Sequence, residues 1–227
     1  MRLIPPARAS LAFVAFAWVL PFLQTRHRLP IPSFYSEWLA FALAIPALLF
    51  LLRRPCWEPV RLPRIALPVL AMVGLLFTQW VLGDIAYLQQ ALLAAMYLLF
   101  FLALVWLGQI LREALGLAAL ARALAWALLV GSMASAAIAL AQRYGAAALL
   151  GGWINAWQGG AVAGNIAQVN HFADYIALGL ASALYLFHIG RLPRWALGLC
   201  ALPLVFVLGL SGSRSAWLFL AAFVVLA

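Results

Sequence analysis

Apolar residues in this 227-residue chain run in long, nearly uninterrupted blocks, and this limits the fold more than any other feature. A helix that crosses the roughly 30 Å hydrocarbon core of a bilayer needs about 20 mostly apolar residues. Apolar blocks follow one another at about 10–24, 35–52, 65–82, 86–108, 122–142, 171–188 and 195–210, and a last one starts near Ser215 and runs to Ala227. Backbone polar groups in hydrocarbon must be satisfied within the segment, so blocks like these form helices. A transmembrane barrel would instead alternate apolar and polar residues. The expectation is an all-α, polytopic helical membrane protein, one transmembrane helical domain over 1–227 with about eight transmembrane helices. Composition agrees: the chain is 68% hydrophobic and 8% charged, with mean hydropathy +1.09, against about 25% charged in soluble domains. A cytosolic enzyme, a disordered chain and a nucleic-acid-binding domain are excluded.

The net charge of +9 comes from 14 basic residues, all of them Arg. In a soluble protein this would suggest a polyanionic partner. In a membrane protein Arg first marks the cytoplasmic side. With a cytoplasmic N-terminus, ten arginines fall in inner connectors: Arg2, Arg8, Arg53, Arg54, Arg61, Arg64, Arg112, Arg122, Arg191 and Arg194. Four fall in outer connectors and are not explained by topology: Arg26, Arg28, Arg143 and Arg214. The first block is followed by Thr25-Arg26-His27-Arg28 and not by a small-residue cleavage site, so it reads as a retained signal-anchor. The last block, about 13 residues, reaches roughly 20 Å; a truncated final helix, and hence a piece of a longer protein, is expected. Cys56 and Cys200 lie in unlike surroundings, so neither a disulfide nor a metal site is expected, and no cofactor is called for.

Polar residues gather at three places between the blocks. The first is the outer loop 143–170 and the helix start after it. It is rich in glycine, carries Trp153 and Trp157, and ends in Asn165, Gln168, Asn170, His171 and Asp174. So many polar groups beside hydrocarbon need water, one another or a ligand. Asn170 could cap the sixth block, with Asp174 in its first turn. Trp153 and Trp157 suit interfacial anchoring or stacking on a sugar face. The second place is Leu210-Ser211-Gly212-Ser213-Arg214-Ser215-Ala216-Trp217. A cation at a helix start opposes the helix dipole, which leaves two readings for Arg214. It snorkels to the interface, or it forms with the helix amides a site for phosphate or pyrophosphate. The third place is 25–38, where Arg26, His27 and Arg28 precede Glu37, a possible ion-pair partner. Asp84 reads as a turn residue. Gly131, Ser132, Ser135 and Ala136 in the fifth block suit close helix packing.

These residues resemble a known family. Gly164-Asn165-Ile166-Ala167-Gln168-Val169-Asn170-His171-Phe172-Ala173 is similar to the G-x-x-x-Q-x-N-H-x-A segment of bacterial protein O-oligosaccharyltransferases, the pilin-glycosylation ligases of the O-antigen ligase and polymerase superfamily. Ser213-Arg214-Ser215-Ala216-Trp217 resembles that superfamily's S-R-[ST]-x-W turn, and Pro30 to Ala40 its first periplasmic loop. The resemblance runs from about residue 20 to the end and covers the N-terminal part of such a protein. It implies an inner-membrane glycosyltransferase, N-terminus cytoplasmic, working on the periplasmic side without a cofactor. The donor would be a glycan on undecaprenyl pyrophosphate; the acceptor would be a protein Ser/Thr hydroxyl, as in a pilin, or a sugar hydroxyl of lipid A core. Arg214, Ser213, Gln168, Asn170 and His171 become the substrate-binding candidates, with Arg26, Arg28, Arg143, Trp153 and Trp157 as further ones. The catalytic base of such an enzyme is expected beyond residue 227, and the chain by itself is expected to be inactive. A lipid-linked-glycan flippase would place polar residues at mid-helix depth; here they sit at helix ends. A non-catalytic membrane subunit remains the third class.

Overall fold

Glycines at positive φ, Gly83, Gly116, Gly190 and Gly212, mark several of the turns between the long apolar runs, whereas Pro46 and Pro203 lie inside helices. The computed structural model describes residues 4–27, 32–51, 63–146, 151–155 and 160–226. Regular structure there is helical, without strands: α1 (Ile4–Ala17), α2 (Leu20–Leu23), α3 (Phe34–Leu51), α4 (Ala66–Val81), α5 (Leu88–Leu115), α6 (Leu117–Arg143), α7 (Val169–His188), α8 (Arg194–Leu210) and α9 (Arg214–Leu226). The all-α expectation holds. Three segments among the described residues are long and apolar enough to cross a membrane: Pro6–Leu23, Leu88–Leu115 and Leu117–Arg143. The other blocks also form helices, several of them shorter than 18 residues. Arg28, Trp157, Arg2, Arg53, Arg54, Arg61 and Cys56 lie outside the described residues.

Two connectors differ from the sequence reading. The first block is not one helix: it breaks at Trp18-Val19 and resumes with Pro21 in the opening turn of α2, where a missing N–H costs nothing. The inner connector expected between blocks four and five shrinks to Gly116 (φ +83). Residues 109–115 are mostly strong helix formers and prolong α5, so Arg112 lies on α5 and Arg122 on α6.

The Cα framework separates into two compact units, Met1–Leu11 with Ala44–Leu120, and Ala12–Leu43 with Ala121–Ala227. In the first, α4 and α5 form a helical hairpin closed over Ala66, Val69 and Leu102. Its turn uses Gly83 at φ +88, and the Asp84 amide donates to the Gln79 carbonyl at 2.9 Å. Asp84 is therefore the turn residue expected. Elsewhere in this unit the buried Ser10 hydroxyl donates to the Ala47 carbonyl at 2.9 Å.

The second unit is built around α7. Phe172, Ile176, Leu180, Ala183 and Leu186 pack in one core with Ala125, Leu129, Ala136 and Ala139 of α6, Leu204, Val207 and Leu208 of α8, and Ala216 of α9. Missing side chains let α6 and α7 meet closely. A Cβ on Gly131 would overlap the Tyr175 hydroxyl, and one on Gly179 would overlap the Ser132 side chain. The small-residue stripe of the fifth block is thus a packing face. Gly179→Ala is predicted to destabilise the protein by about 1–3 kcal/mol through overpacking. Gly198→Ala, with nothing within 4 Å of the new methyl, should leave stability unchanged or slightly raised. Thermal midpoints of the two variants in detergent check the contrast.

Candidate functional site

The break after α1 leaves the Trp18 carbonyl without a helical partner, and α7 supplies one. The Tyr175 hydroxyl donates to it at 2.7 Å, while the Phe22 ring stacks on the Tyr175 ring at 4.4 Å between centroids. Gly131 makes the room that this hydroxyl needs. The helix break is thereby fastened to α7, and the segment from Leu23 to His27 is brought alongside the end of the loop that precedes α7.

That loop end has no ladder of its own, and a buried asparagine takes its place. Asn165 is fully buried. Its Nδ2 donates to the Leu23 carbonyl at 2.8 Å and the Trp153 carbonyl at 3.0 Å, and its Oδ1 accepts from the Asn155 amide at 2.9 Å. Gln142 on α6 adds bonds from Nε2 to the carbonyls of Asn155 (2.9 Å) and Gly164 (3.0 Å). The Asn165 carbonyl meets His27 Nε2 at 2.6 Å. His27 Nδ1 faces a second carbonyl, that of Pro32, at 3.2 Å. Gln24 closes the first connector: its Nε2 donates to Ser36 Oγ at 2.8 Å and its Oε1 accepts from the Arg26 amide at 2.7 Å.

The backbone bends sharply here. Gly164 has φ +56, with Phe172 and the Ser135 carbonyl close against it. Ala167, at φ 59, is a non-glycine residue in left-handed conformation, a costly state that tends to cluster at functional sites. After this bend Gln168, not Asn170, caps α7: its side chain accepts from the His171 amide. Asn170 is already inside the helix, because the cap falls two residues earlier than expected. Asp174 lies beyond the first turn, which holds no acid.

Freed from capping, Asn170 reaches α9. The buried Ser213 hydroxyl donates to Asn170 Oδ1 at 2.8 Å and meets Ser215 Oγ at the same distance. A hydroxyl has one proton, so Ser215 donates to Ser213. Ser211 Oγ donates to the Leu208 carbonyl at 2.7 Å and accepts from the Ser213 amide at 3.2 Å. Gly212, at φ +65, makes the turn, and the Val162 amide donates to the Leu210 carbonyl at 3.3 Å. Arg214 opens α9 with an exposed side chain. A cavity of about 820 Å³ opens at the start of α7, lined among others by His27, Ser33, Ser36, Glu37, Gln168 and His171.

The structure therefore joins Asn170 with Ser213, and sets Gln168 and His171 on one cavity. Arg26 and Trp153 line a different cavity, and exposed Arg143 ends α6 with no bond to the other candidates among the contacts described. Asn165, Gln142 and Tyr175, which hold the arrangement, were not among the expected site residues. For Asn165 a signal was present: an asparagine directly after a glycine in an otherwise apolar stretch. Among the described residues no cluster of three or more His, Cys, Asp and Glu is placed to hold a metal ion.

Long apolar helices, with Asn165 buried at the loop end and polar side chains gathered at the start of α7, define a helical membrane protein. Comparison with known proteins adds a family likeness. Residues 162–187, which run from the loop end through nearly all of α7, match the model of the protein glycosylation ligase family. The chain is also 30% identical over 211 residues to a general O-oligosaccharyltransferase of Acinetobacter baylyi, covering 91% of this chain and 35% of the relative. The resemblance to the O-oligosaccharyltransferases is thus confirmed, and the chain spans about a third of that relative's length. No solved structure matches.

Asn165→Ala would leave two carbonyls and one amide without partners. It is predicted to cost about 2–4 kcal/mol and to release hydrogen-exchange protection at 151–155 and 160–168 ahead of the helices. Unchanged protection there would contradict the role given to this side chain.

Proposed function

We propose that this chain is part of a membrane oligosaccharyltransferase that moves a glycan from undecaprenyl pyrophosphate to a Ser or Thr hydroxyl of a protein. The reading is supported by the family match over 162–187 and by the relative's description. The observation that carries it is the bond between Asn170 and Ser213, which ties the Gln168–His171 helix start to the turn holding Arg214. In this reading the chain has about eight spans, a cytoplasmic N-terminus and a bacterial inner-membrane location, with the site on the periplasmic side.

The chemistry asks little of the protein beyond positioning and charge. The acceptor oxygen bonds to the anomeric carbon as the bond from that carbon to the pyrophosphate oxygen breaks. The leaving group departs as undecaprenyl pyrophosphate, and the acceptor proton passes to a base. Negative charge grows on the bridging oxygen, and a preorganised cation beside a helix N-terminus stabilises it. Arg214 is the residue that fits this role. Gln168, Asn170 and His171 supply donors and acceptors to the bound pyrophosphate or acceptor, and Ser213 sets the distance between the two motifs. A protein acceptor is preferred to lipid A core because the matched family is one of protein glycosylation ligases.

In the full-length enzyme, Arg214→Ala should lower glycan transfer at least 100-fold while membrane abundance stays at the wild-type level, since the side chain is exposed and opposes the helix dipole. Arg214→Lys should recover only part of the loss. A gel-shift assay of acceptor glycosylation, beside a membrane immunoblot, reads both; full transfer by the alanine variant would refute the role.

A further inference from the structure

A second cavity, of about 570 Å³, opens on the other side of the Leu23–His27 segment. Leu23, Gln24, Thr25 and Arg26 line it, while His27 lines the first cavity. Its remaining walls include Tyr35, Trp38 and Trp153. Trp153 is 82% exposed and Trp38 is 58% exposed. The Arg26 guanidinium carbon stands 5.8 Å from the centroid of the Tyr35 ring, which orients the cation without consuming its N–H donors. The Gln24 side chain is committed to Ser36 and the Arg26 backbone, so the segment bearing Arg26 is fixed. The volume falls within the range of small-ligand sites.

Aromatic faces beside guanidinium and hydroxyl donors suit one ligand class. A pyranose ring presents C–H faces that pack on aromatic rings, and its rim of hydroxyls takes hydrogen bonds from Arg and Thr. Apolar ligands would leave Arg26 and Thr25 unused, and a bare phosphate would leave the tryptophans unused. We infer that Trp38, Trp153, Tyr35 and Arg26 form a subsite for sugar residues of a lipid-linked glycan, separate from the Arg214 turn. The inference rests on the donor proposed above and adds where the sugar portion lies. A third cavity of about 580 Å³ shares Leu23, Gln24, Leu39 and Trp153 with it and continues along Ala137, Ile138 and Ala141 of α6. An apolar groove leading into an aromatic and cationic mouth matches an amphiphile with a sugar head.

Binding to the full chain in nanodiscs tests this without requiring catalysis. Two probes are used: undecaprenyl pyrophosphate carrying a trisaccharide, and undecaprenyl pyrophosphate without sugar. The wild type should bind the glycosylated lipid more tightly. Trp153→Ala, which removes little packing because the ring is exposed, should weaken binding of the glycosylated lipid about tenfold, or about 1.4 kcal/mol, and leave the bare lipid unchanged. Trp38→Ala should behave alike, and Trp→Phe at either position should restore most of the affinity. Arg214→Ala should weaken both lipids. Equal affinity of the wild type for the two lipids, or an equal or absent effect of Trp153→Ala on both, overturns the sugar subsite. Tryptophans that serve only as interfacial anchors would give the last of these results. Failure of the wild type to bind either lipid would instead overturn the donor proposed above, and the subsite with it.

Discussion

The loop end before α7 depends on one side chain that replaces a missing backbone ladder. Between Asn155 and Gln168 the chain forms neither α-helix nor sheet at the residues described, so its amides and carbonyls need other partners. Asn165 supplies them for Leu23, Trp153 and Asn155 at once. Only an amide side chain has both the two donors and the acceptor that these groups require. An aspartate would set a carboxylate against two carbonyls, and a leucine would satisfy none of them.

The remaining geometry follows from that anchor. With Asn165 fixed, the left-handed Gly164 and Ala167 turn the chain into α7, and Gln168 becomes the cap. The cap position then sets which face of the first turn Asn170 occupies, and this is the face that meets Ser213. Tyr175, two turns along, fastens the same helix to the Trp18 carbonyl and depends on the absence of a Cβ at Gly131. Polar groups in such a setting are costly unless each is paired. Here Asn165 pairs the loop end, Gln168 caps the helix start, and Asn170 bonds the turn that bears Arg214.

Most of the helical order was legible in the sequence, because long apolar runs leave the backbone few options. The block at 195–210 became Arg194–Leu210, and that at 65–82 became Ala66–Val81. Misjudged were the places where local chemistry outweighs hydropathy. Trp18-Val19 breaks an apolar run that a hydropathy reading treats as continuous, and strong helix formers carried α5 past Arg112. The polar run at 164–174 stood out by its composition, but its division of labour did not. Asn165 and Gln168 hold structure while Asn170 reaches another helix, and only the three-dimensional pairing separates these roles. The Asn170–Ser213 pair spans 43 residues, a distance at which no sequence periodicity operates.

The proposed function rests on the similarity to a protein glycosylation ligase family and on the exposed Arg214 at the start of α9. Central to the account is that the α7 start and the Arg214 turn face the same, external side of the membrane and meet the same lipid-linked donor. The most direct measurement is thiol labelling of His171→Cys and Arg214→Cys, in a background with Cys56 and Cys200 replaced by Ser. A membrane-impermeant maleimide is applied to intact spheroplasts. The account predicts that both positions react before lysis and that added undecaprenyl-pyrophosphate-linked glycan slows both. Reaction of either position only after lysis, or no slowing at either, would contradict it.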